Sequence, residues 1–585
     1  MKAKHFIFFF TYCFAIIVFS NAQSPADLGS LTVTGSRDLF IEFDKSQKTY
    51  IISRQDIENI SADSLEDIFN TVPFITIDAR GVNDVQSDIR FRGSSFEQVL
   101  IYLNGIPMNN RQTGHHNLDI PVSVKDIERI EIVPNAGSFI YGAGAYAGVI
   151  HIFTKDFEKR EASVRLGSYG YYSLDLGVPF EYKSLQNSIT LSKKKSSGYR
   201  QDTDFDTNRL WLHSIVPVKS HDINIYAGFL NKDFGANGFY GPALSRENID
   251  SYSINDNYTF LYELHFRRYD DFFAYDLSKP QYDNDHTTDS CGSDIKLITE
   301  YDTARAVLGF AFRSDKIDST NLGSHIDDSI GLYAMVSKDL DFGSYTLGFR
   351  GDTYSNYKNR LSPYLGFGMP FKDNWNLRAS FGAGHRLPSF TEKYYSSPSN
   401  QGNENLEPEK TNNFELGALF SENDLKWDTA LFLRDEHNVI DWGKTSSVQT
   451  AFSANNLSDL TASGIETSVS KKIYKDMSGT LSYTYTDLNT DVDHGYISKY
   501  TLNYIQSSVM LKIFTPLIYN INSFIQFDYK KRLNYDDYSL VNLTFKIANG
   551  KIYIKIDNIF DEEYKEVNNI PMPGTWIYAG CERTF

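Results

Sequence analysis

From about residue 156 to the C-terminus, apolar and polar side chains alternate one by one in short runs. Trp375, Leu377, Ala379 and Phe381 interleave with Asn376, Arg378, Ser380 and Gly382. Tyr345, Leu347 and Phe349 interleave with Thr346, Gly348 and Arg350, and Leu481, Tyr483 and Tyr485 with Ser482, Thr484 and Thr486. Successive side chains of a strand point to opposite faces, so each run has one apolar and one polar face. A polar face repeated over so long a stretch, with no convincing long helix, predicts a membrane β-barrel with lipid outside and a water-filled or plugged interior. Tight connections such as Lys372-Asp373-Asn374 alternate with longer polar stretches such as residues 278–294, the rhythm of periplasmic turns and extracellular loops. At about 20 residues per strand with its connection, residues 156–585 hold 22 antiparallel strands; 16 or 18 with longer loops fit equally well. The chain ends on Phe585, an aromatic that suits a closing strand, with Arg583 on the same face.

Residues 49–155 have a different texture. A helix is expected from Asp63, with Glu66 three residues on in the manner of a capping box. Leu65, Ile68, Phe69 and Val72 then mark one buried face, and Pro73 ends it. Strands are expected at 88–92, 99–103, 127–133 and 149–154, with Asn104-Gly105 as a hairpin turn and a glycine-rich link over 137–148. A compact α/β unit ahead of the barrel is placed to fill it. Since a 22-stranded barrel is the one whose lumen holds a plug, the plug decides between the strand counts. Residues 23–48 are polar, apart from one short β-prone segment of Leu31, Thr32, Val33, Thr34 and Gly35. Such a segment either adds as an edge strand to a partner's sheet or is a plain linker.

The first 22 residues read as a secretory leader: Lys2 and Lys4, an apolar run over 6–19, then Ser20-Asn21-Ala22 as a cleavage site. That run is too short to span a hydrocarbon core of ~30 Å as a helix. Cys13 lies inside it without the small residues that precede a lipid anchor. Loss of the leader takes the formal charge from −17 to about −19, which excludes nucleic acid as a partner. Cys291, in a polar loop-like stretch, and Cys581, in a strand pattern near the end, are not expected to pair. Aromatics at 15% fit a barrel but fit a large soluble β-protein as well, so the alternation carries the argument. No nucleophile elbow, phosphate loop or zinc spacing is present, so no enzyme is expected.

Several passages then fall into one order. Asp88-Ile89-Arg90-Phe91-Arg92-Gly93 leads to Val99-Leu100-Ile101-Tyr102-Leu103-Asn104-Gly105-Ile106-Pro107, then to Ile127-Glu128-Arg129-Ile130-Glu131-Ile132-Val133 and Tyr141-Gly142-Ala143-Gly144-Ala145-Tyr146-Ala147-Gly148-Val149-Ile150. Further on stand Arg386-Leu387-Pro388-Ser389-Phe390-Thr391-Glu392, Leu406-Glu407-Pro408-Glu409-Lys410 with Phe414-Glu415-Leu416-Gly417, and Asp557-Asn558-Ile559-Phe560-Asp561 with Tyr564. In sequence and order these resemble the plug and barrel passages of TonB-dependent receptors, from about residue 30 to the end. The resemblance implies a bacterial outer-membrane location with surrounding lipid, a plug inside 22 strands, no required cofactor and a TonB-type periplasmic energiser. It makes residues 31–35 the energiser-binding box and leaves room for a surface lipoprotein partner. The N-terminal stretch is too short for the extra module of signalling receptors. Compact size and the 386–395 stretch look most like cobalamin transporters, so a corrinoid is the expected ligand, with a ferric siderophore as the alternative. A passive porin needs no plug, and a barrel enzyme needs catalytic groups that are not found.

One departure matters. Family members usually carry Arg-Gly-Pro where Pro134-Asn135-Ala136 stand here, and that arginine commonly ties plug to barrel. Arg92 and Arg129 are then the candidate plug cations, with Glu392 and Glu415 as barrel partners, unless these charges only solvate the gap. The expected ligand face of the plug is its polar loop Met108, Asn109, Asn110, Arg111, Gln112, Thr113, His115 and His116. Neighbouring histidines in an extended chain point apart, which favours hydrogen bonding or a structural role over chelation. Asp202, Asp204 and Asp206 form an alternating acidic set, either calcium ligands in an extracellular loop or solvated charge. Asp283, Asp285, Asp289 and Asp294 pose the same question.

Overall fold

In hydrocarbon every backbone N–H and C=O needs an internal partner, which a sheet supplies only when it closes on itself. The computed structural model describes residues 46–585 except 84, 136, 157, 219–220, 242, 259–261, 302, 447, 458, 475–476, 493–494, 517–520, 548–550 and 568–569. The leader and residues 31–35 therefore lie outside the described residues. Twenty-two antiparallel strands form one closed barrel, beginning with Glu161–Gly167 and ending with Trp576–Thr584. These two close the ring, with Tyr578 opposite Gly167 and Cys581 opposite Val164. Arg583 lies over the Phe585 ring at 4.9 Å, so the cation shares the outward face of the last strand without disturbing it. Cys291 and Cys581 are both exposed and unbonded.

Burial in the wall is inverted relative to a water-soluble protein. In Tyr171–Tyr182, Tyr171, Ser173 and Asp175 are buried towards the lumen, while Tyr172, Leu174 and Leu176 face out. In Met477–Thr490, Ser482, Thr484 and Thr486 are inside and Leu481, Tyr483 and Tyr485 outside. Lys372-Asp373-Asn374 is the short turn between Arg360–Phe371 and Trp375–Arg386, whereas the opposite rim carries long connections over 387–408, 438–459 and 558–575. The stretch 278–294 is not one of these loops. Most of it belongs to the strand Asp283–Tyr301, paired along its length with Tyr262–Ala274 and Ala304–Ser319. Asp283, Asp285, Asp289, Asp294 and Cys291 are thus strand residues. A strand rising beyond the bilayer meets water on its outer face, so it needs no apolar alternation there, and polarity alone is a poor guide to it.

Inside the ring sits a plug built on a mixed sheet ordered Tyr50–Ser53, Ile127–Pro134, Gly148–Thr154, Val99–Leu103 and Ile106–Pro107. Val99–Leu103 runs parallel to Gly148–Thr154, and Asn104 and Gly105 take the left-handed backbone of the hairpin turn. A second hairpin joins Ile75–Ala79 to Ser87–Phe91. The helix Leu65–Phe69 buries Leu65, Ile68 and Phe69, with Val72 beyond it also buried. Its cap is one residue later than Asp63. Ser64 accepts from the Asp67 N–H and the Asp67 carboxylate answers, while Asp63 is drawn to Arg165 of the barrel and Glu66 to the Ser87 hydroxyl. A preceding helix, Arg54–Asn59, carries the same box through Ser53 and Asp56.

Outward apolar residues sit in lipid, so a charge there is costly. Leu431, midway along Leu425–His437 and 54% exposed, is such a position. Leu431→Arg is expected to lower folding stability in lipid by about 2–4 kcal/mol, read from urea titrations in vesicles. An unchanged midpoint would place this face away from hydrocarbon.

Candidate functional site

The plug is held at a buried charge cluster. Arg92 and Gly93 both take positive φ, 50° and 72°, which turns the chain sharply after Phe91 and sends the guanidinium to the wall. Gly93 lies so close to the barrel that a Cβ there would meet Thr486 and Leu488 at 3.2 Å. Arg92 donates to Glu415 at 2.8 Å and to Glu466 at 3.0 Å through Nη2, with all three side chains buried. Lys48 reaches Asp428 at 2.9 Å and Glu466 at 3.5 Å, and Arg378 bridges Glu415 and Asp428. The Arg92–Glu415 pairing expected from sequence is present. Asn135, the residue after Pro134, gives Glu415 a neutral hydrogen bond at 3.4 Å.

The other two expected lock residues go elsewhere. Arg129 pairs with Glu131 at 2.6 Å inside the plug and lies over Phe153, because its strand holds it on the plug's own surface. Glu392 caps the short helix Phe390–Tyr394 through Ser389 and pairs with Arg386, a barrel-to-loop contact. The plug touches that group through Gln98, which donates to Glu409 at 2.9 Å. Glu466, Asp428 and Lys48 were not singled out from sequence. The available signal was a lone charge at a lumen-facing position, as with Glu466 in Leu460–Tyr474.

The apical loop of the plug is more constrained than its polarity suggests. Met108 is in the plug core, and the Asn109 amide is consumed by the backbone of Val99 and Ile101. Asn110 accepts from the Gln112 N–H, and Thr113 caps the turn Gly114–His116. Arg111 donates to Pro388 O at 3.0 Å and pairs with Asp327 at 2.9 Å, while its own carbonyl accepts from Phe390 N. Gln112 donates to Asp271 at 2.6 Å. The two histidines diverge because they sit on a tight turn rather than in an extended chain. His115 bonds Asp88 at 2.7 Å and stacks on Phe96, and burial drives its pKa down to about 4 against the pull of that carboxylate. For His116 burial also opposes the charge, but Asp119, Asp271 and Glu247 hold it up to about 10.

Above this loop opens a cavity of about 1010 Å³ including its mouth. Phe96, His115, Tyr240, Tyr395, Trp442 and Tyr500 give it aromatic walls; Glu97, Glu392 and Asp441 add carboxyls, and Lys499 a cation. Burial and the nearby Glu392 push Glu97 up to about 7. Trp442 belongs to a small sheet of the long loops, made of Asn400–Gln401, Phe452–Asn456, Ile440–Lys444 and Ile497–Ser498. A second cavity, of about 1140 Å³, adjoins Arg111, and four of its arginines are paired: Arg111 with Asp327, Arg313 with Asp315, Arg350 with Asp352 and Arg386 with Glu409. Asp202, Asp204 and Asp206 do not converge. Asp202 takes positive φ and accepts from Ser245 N, Asp204 pairs with Arg246, and Asp206, already in Phe205–Val218, pairs with Lys193 and Lys195.

Comparison with known proteins fits this geometry. The family model "TonB dependent receptor-like, beta-barrel" matches residues 144–559, and the "TonB-dependent Receptor Plug Domain" matches residues 42–149. The chain belongs to the TonB-dependent receptors. It is an outer-membrane transport protein of the Gram-negative type that works with TonB. Among curated relatives of this receptor, the vitamin B12 transporter BtuB of Vibrio vulnificus (strain YJ016) is 24% identical over 77% of each chain. That of Photobacterium profundum is 21% identical over 95% of this chain and 96% of its own. Among solved structures, the siderophore receptor PirA of Pseudomonas aeruginosa aligns with a TM-score of 0.72 at 17% identity, over 92% of this chain and 99% of its own. A mutant of the ferric enterobactin receptor PfeA from the same organism, in complex with enterobactin, aligns at 0.75 and 15%, over 92% and 100%. At such identities the structural likeness speaks to the fold alone.

The charge cluster sets how firmly this receptor holds its plug. Removing one partner of a buried pair costs about 3–5 kcal/mol, since the remaining charge loses its counter-ion. Arg92→Met is therefore expected to loosen the plug by that order while the barrel stays folded. Hydrogen exchange at Ser87–Phe91, beside an unchanged heat-modifiable mobility of the barrel, reads this. Wild-type protection in the variant would remove Arg92 from the lock.

Proposed function

We propose that this receptor imports a corrinoid, bound between the apical loop of the plug and the long loops, and energised by strand addition of residues 31–35 to TonB. The lining of the 1010 Å³ cavity carries the reading. Aromatic faces suit a large, flat ring system, and the polar edges suit peripheral amides. Its wall sets Glu97, Glu247, Asp271, Glu392 and Asp441 against Lys499 and His116, an excess of acids that favours a neutral or cationic ligand over a polyanionic ferric chelate. The paired arginines next to it leave little pull on an anion. The names of the curated relatives point the same way. Ferric siderophore uptake is the second reading, since PirA and PfeA, which share the fold, are siderophore receptors.

Binding to the purified receptor separates the two. A corrinoid is expected to saturate one site, and Trp442→Ala with Tyr500→Ala to weaken it at least about tenfold, given that a stacked aromatic contributes of the order of 1 kcal/mol. Saturable binding of a ferric catecholate with no corrinoid binding would overturn the assignment.

Energy coupling has its own test. Strand addition needs backbone N–H groups in extended geometry, and proline removes one and constrains its predecessor. Val33→Pro is expected to abolish accumulation while leaving surface binding intact, and Val33→Ala to be milder. Paired whole-cell binding and uptake assays read both; normal uptake by Val33→Pro would place the box elsewhere.

A further inference from the structure

The floor of the aromatic cavity holds a trio of side chains, His116, Glu247 and Asp271, that converge from the plug and the barrel wall. His116 lies on the plug turn Gly114–His116. Glu247 lies at the start of the barrel strand Arg246–Tyr258, and Asp271 near the end of its neighbour Tyr262–Ala274. Strand register pairs Glu247 with Phe273 and Ile249 with Asp271, so the two carboxylates are diagonal neighbours on the lumen face. The His116 Nε2 is 3.6 Å from Glu247 Oε1 and 3.5 Å from Asp271 Oδ2. One donor atom from each residue lies within 4.8 Å of the other two, and among the described residues no other group of three or more His, Cys, Asp or Glu does this.

These separations are long for hydrogen bonds. They are close to the spacing between ligand atoms around a Zn²⁺ ion, about 3.3 Å for tetrahedral bonds of about 2.0–2.1 Å. All three side chains are only 3–4% exposed. Glu247 Oε2 and Asp271 Oδ1 are buried with no hydrogen-bond partner, and Gln112 occupies only Oδ2 of Asp271. Buried carboxylate oxygens left unpaired are costly, and a divalent ion taking the place of the Nε2 proton of His116 would meet them. On the far side of the imidazole, Asp119 Oδ2 lies 3.3 Å from Nδ1 of His116. Asp119 is itself fixed by Lys232 and by the Tyr269 hydroxyl at 2.6 Å. A carboxylate behind a histidine, orienting its other nitrogen outward, is the usual support of a metal-binding imidazole.

We propose that His116, Glu247 and Asp271 bind one first-row divalent transition-metal ion across the seam between plug and barrel. One imidazole with two carboxylates suits Zn²⁺ or Mn²⁺ and lacks the all-oxygen set that Ca²⁺ and Mg²⁺ prefer. Asn284 and His286 line the same cavity. Because the plug supplies one ligand and the wall two, the site exists only while the plug is seated. The ion clamps the plug apex to the barrel. This reading does not depend on which nutrient the receptor imports.

The test uses the full-length receptor in detergent, stripped with chelator and titrated with Zn²⁺ in competition with a chromogenic chelator. One equivalent is expected to bind tightly. His116→Gln, Glu247→Gln and Asp271→Asn should each weaken it at least about tenfold, and Asp119→Asn by about 10–100-fold. Asp204→Asn, a change in the 197–204 loop, should leave it unchanged. X-ray absorption at the zinc edge should show oxygen and nitrogen ligands with one imidazole. Heat-modifiable mobility verifies folding, and the two near-isosteric acid-to-amide variants carry the test if His116→Gln misfolds. No stoichiometric binding of Zn²⁺ or Mn²⁺ by the wild type overturns the proposal. So does binding unaltered in folded Glu247→Gln and Asp271→Asn.

Discussion

Closure of the sheet governs everything else. Once lipid forces all backbone groups of the wall to pair within the wall, the strands can differ only in their side chains, and the apolar ones must face out. The lumen is left lined with polar and charged groups that a plug then buries. Lys194, Arg209, Lys232, Arg267, Arg313 and Arg350 all point inward, and the acceptors they find are largely plug carbonyls. Arg350 donates to Ile140 O at 2.7 Å, Lys232 to Val85 O at 2.7 Å, Arg313 to Asn109 O at 3.1 Å and Arg209 to Ile120 O at 3.3 Å. Arg267 donates to Met108 O and Asp119 O, and Lys194 to Asp63 O. The irregular connections of the plug, whose carbonyls lack partners in its own sheet, are satisfied by the wall. Plug and barrel are each chemically incomplete without the other.

That division of labour explains what was legible in the sequence. Alternation of period two reports the wall faithfully wherever one side is lipid, which is why Leu481, Tyr483 and Tyr485 and their polar neighbours fall on the faces expected of them. It fails in the first part of Asp283–Tyr301, residues 283–290, where both faces are polar. In the plug, the periodic face of Leu65, Ile68, Phe69 and Val72 was clear, while the cap moved from Asp63 to Ser64. A barrel arginine claimed Asp63, a partner no local rule contains.

The charge cluster and the cavity show the same limit. Arg92 and Glu415 stood out as lone charges in recognisable passages, and the structure pairs them. Arg129 and Glu392 stood out equally and pair within their own units. The choice among many lumen carboxylates is made by register and tilt, which leave no mark on spacing. Glu466 and Asp428, and likewise Glu247 and Asp271, are ordinary inward charges until the fold sets them beside Arg92, Lys48 or His116. The aromatic walls come from segments far apart in the chain, so Tyr240, Trp442 and Tyr500 gave no joint signal.

The arrangement of the lock also bears on how a partner beyond residue 46 would act on the plug. Tyr50–Ser53 is an edge strand of the plug sheet, paired to Ile127–Pro134, and Lys48 lies immediately before it. Tension on the preceding chain therefore loads Lys48 first. Lys48 shares Glu466 with Arg92 and Asp428 with Arg378, so its withdrawal would leave Glu466 and Asp428 with one cation fewer in a buried setting. Water entering to solvate them would weaken the Arg92 pairs in turn, since buried charges attract strongly only while the site stays dry. A cluster of shared ions is thus firm against thermal motion yet vulnerable to loss of a single member. Purely apolar packing would spread the load over many small contacts. The apical loop, whose Arg111 and Gln112 carbonyls accept backbone hydrogen bonds from Phe390 and Thr391, sits at the far end of the same sheet. Force applied to the chain before Lys48 and contacts made by the apical loop therefore meet in one body whose seating depends on a few buried charges.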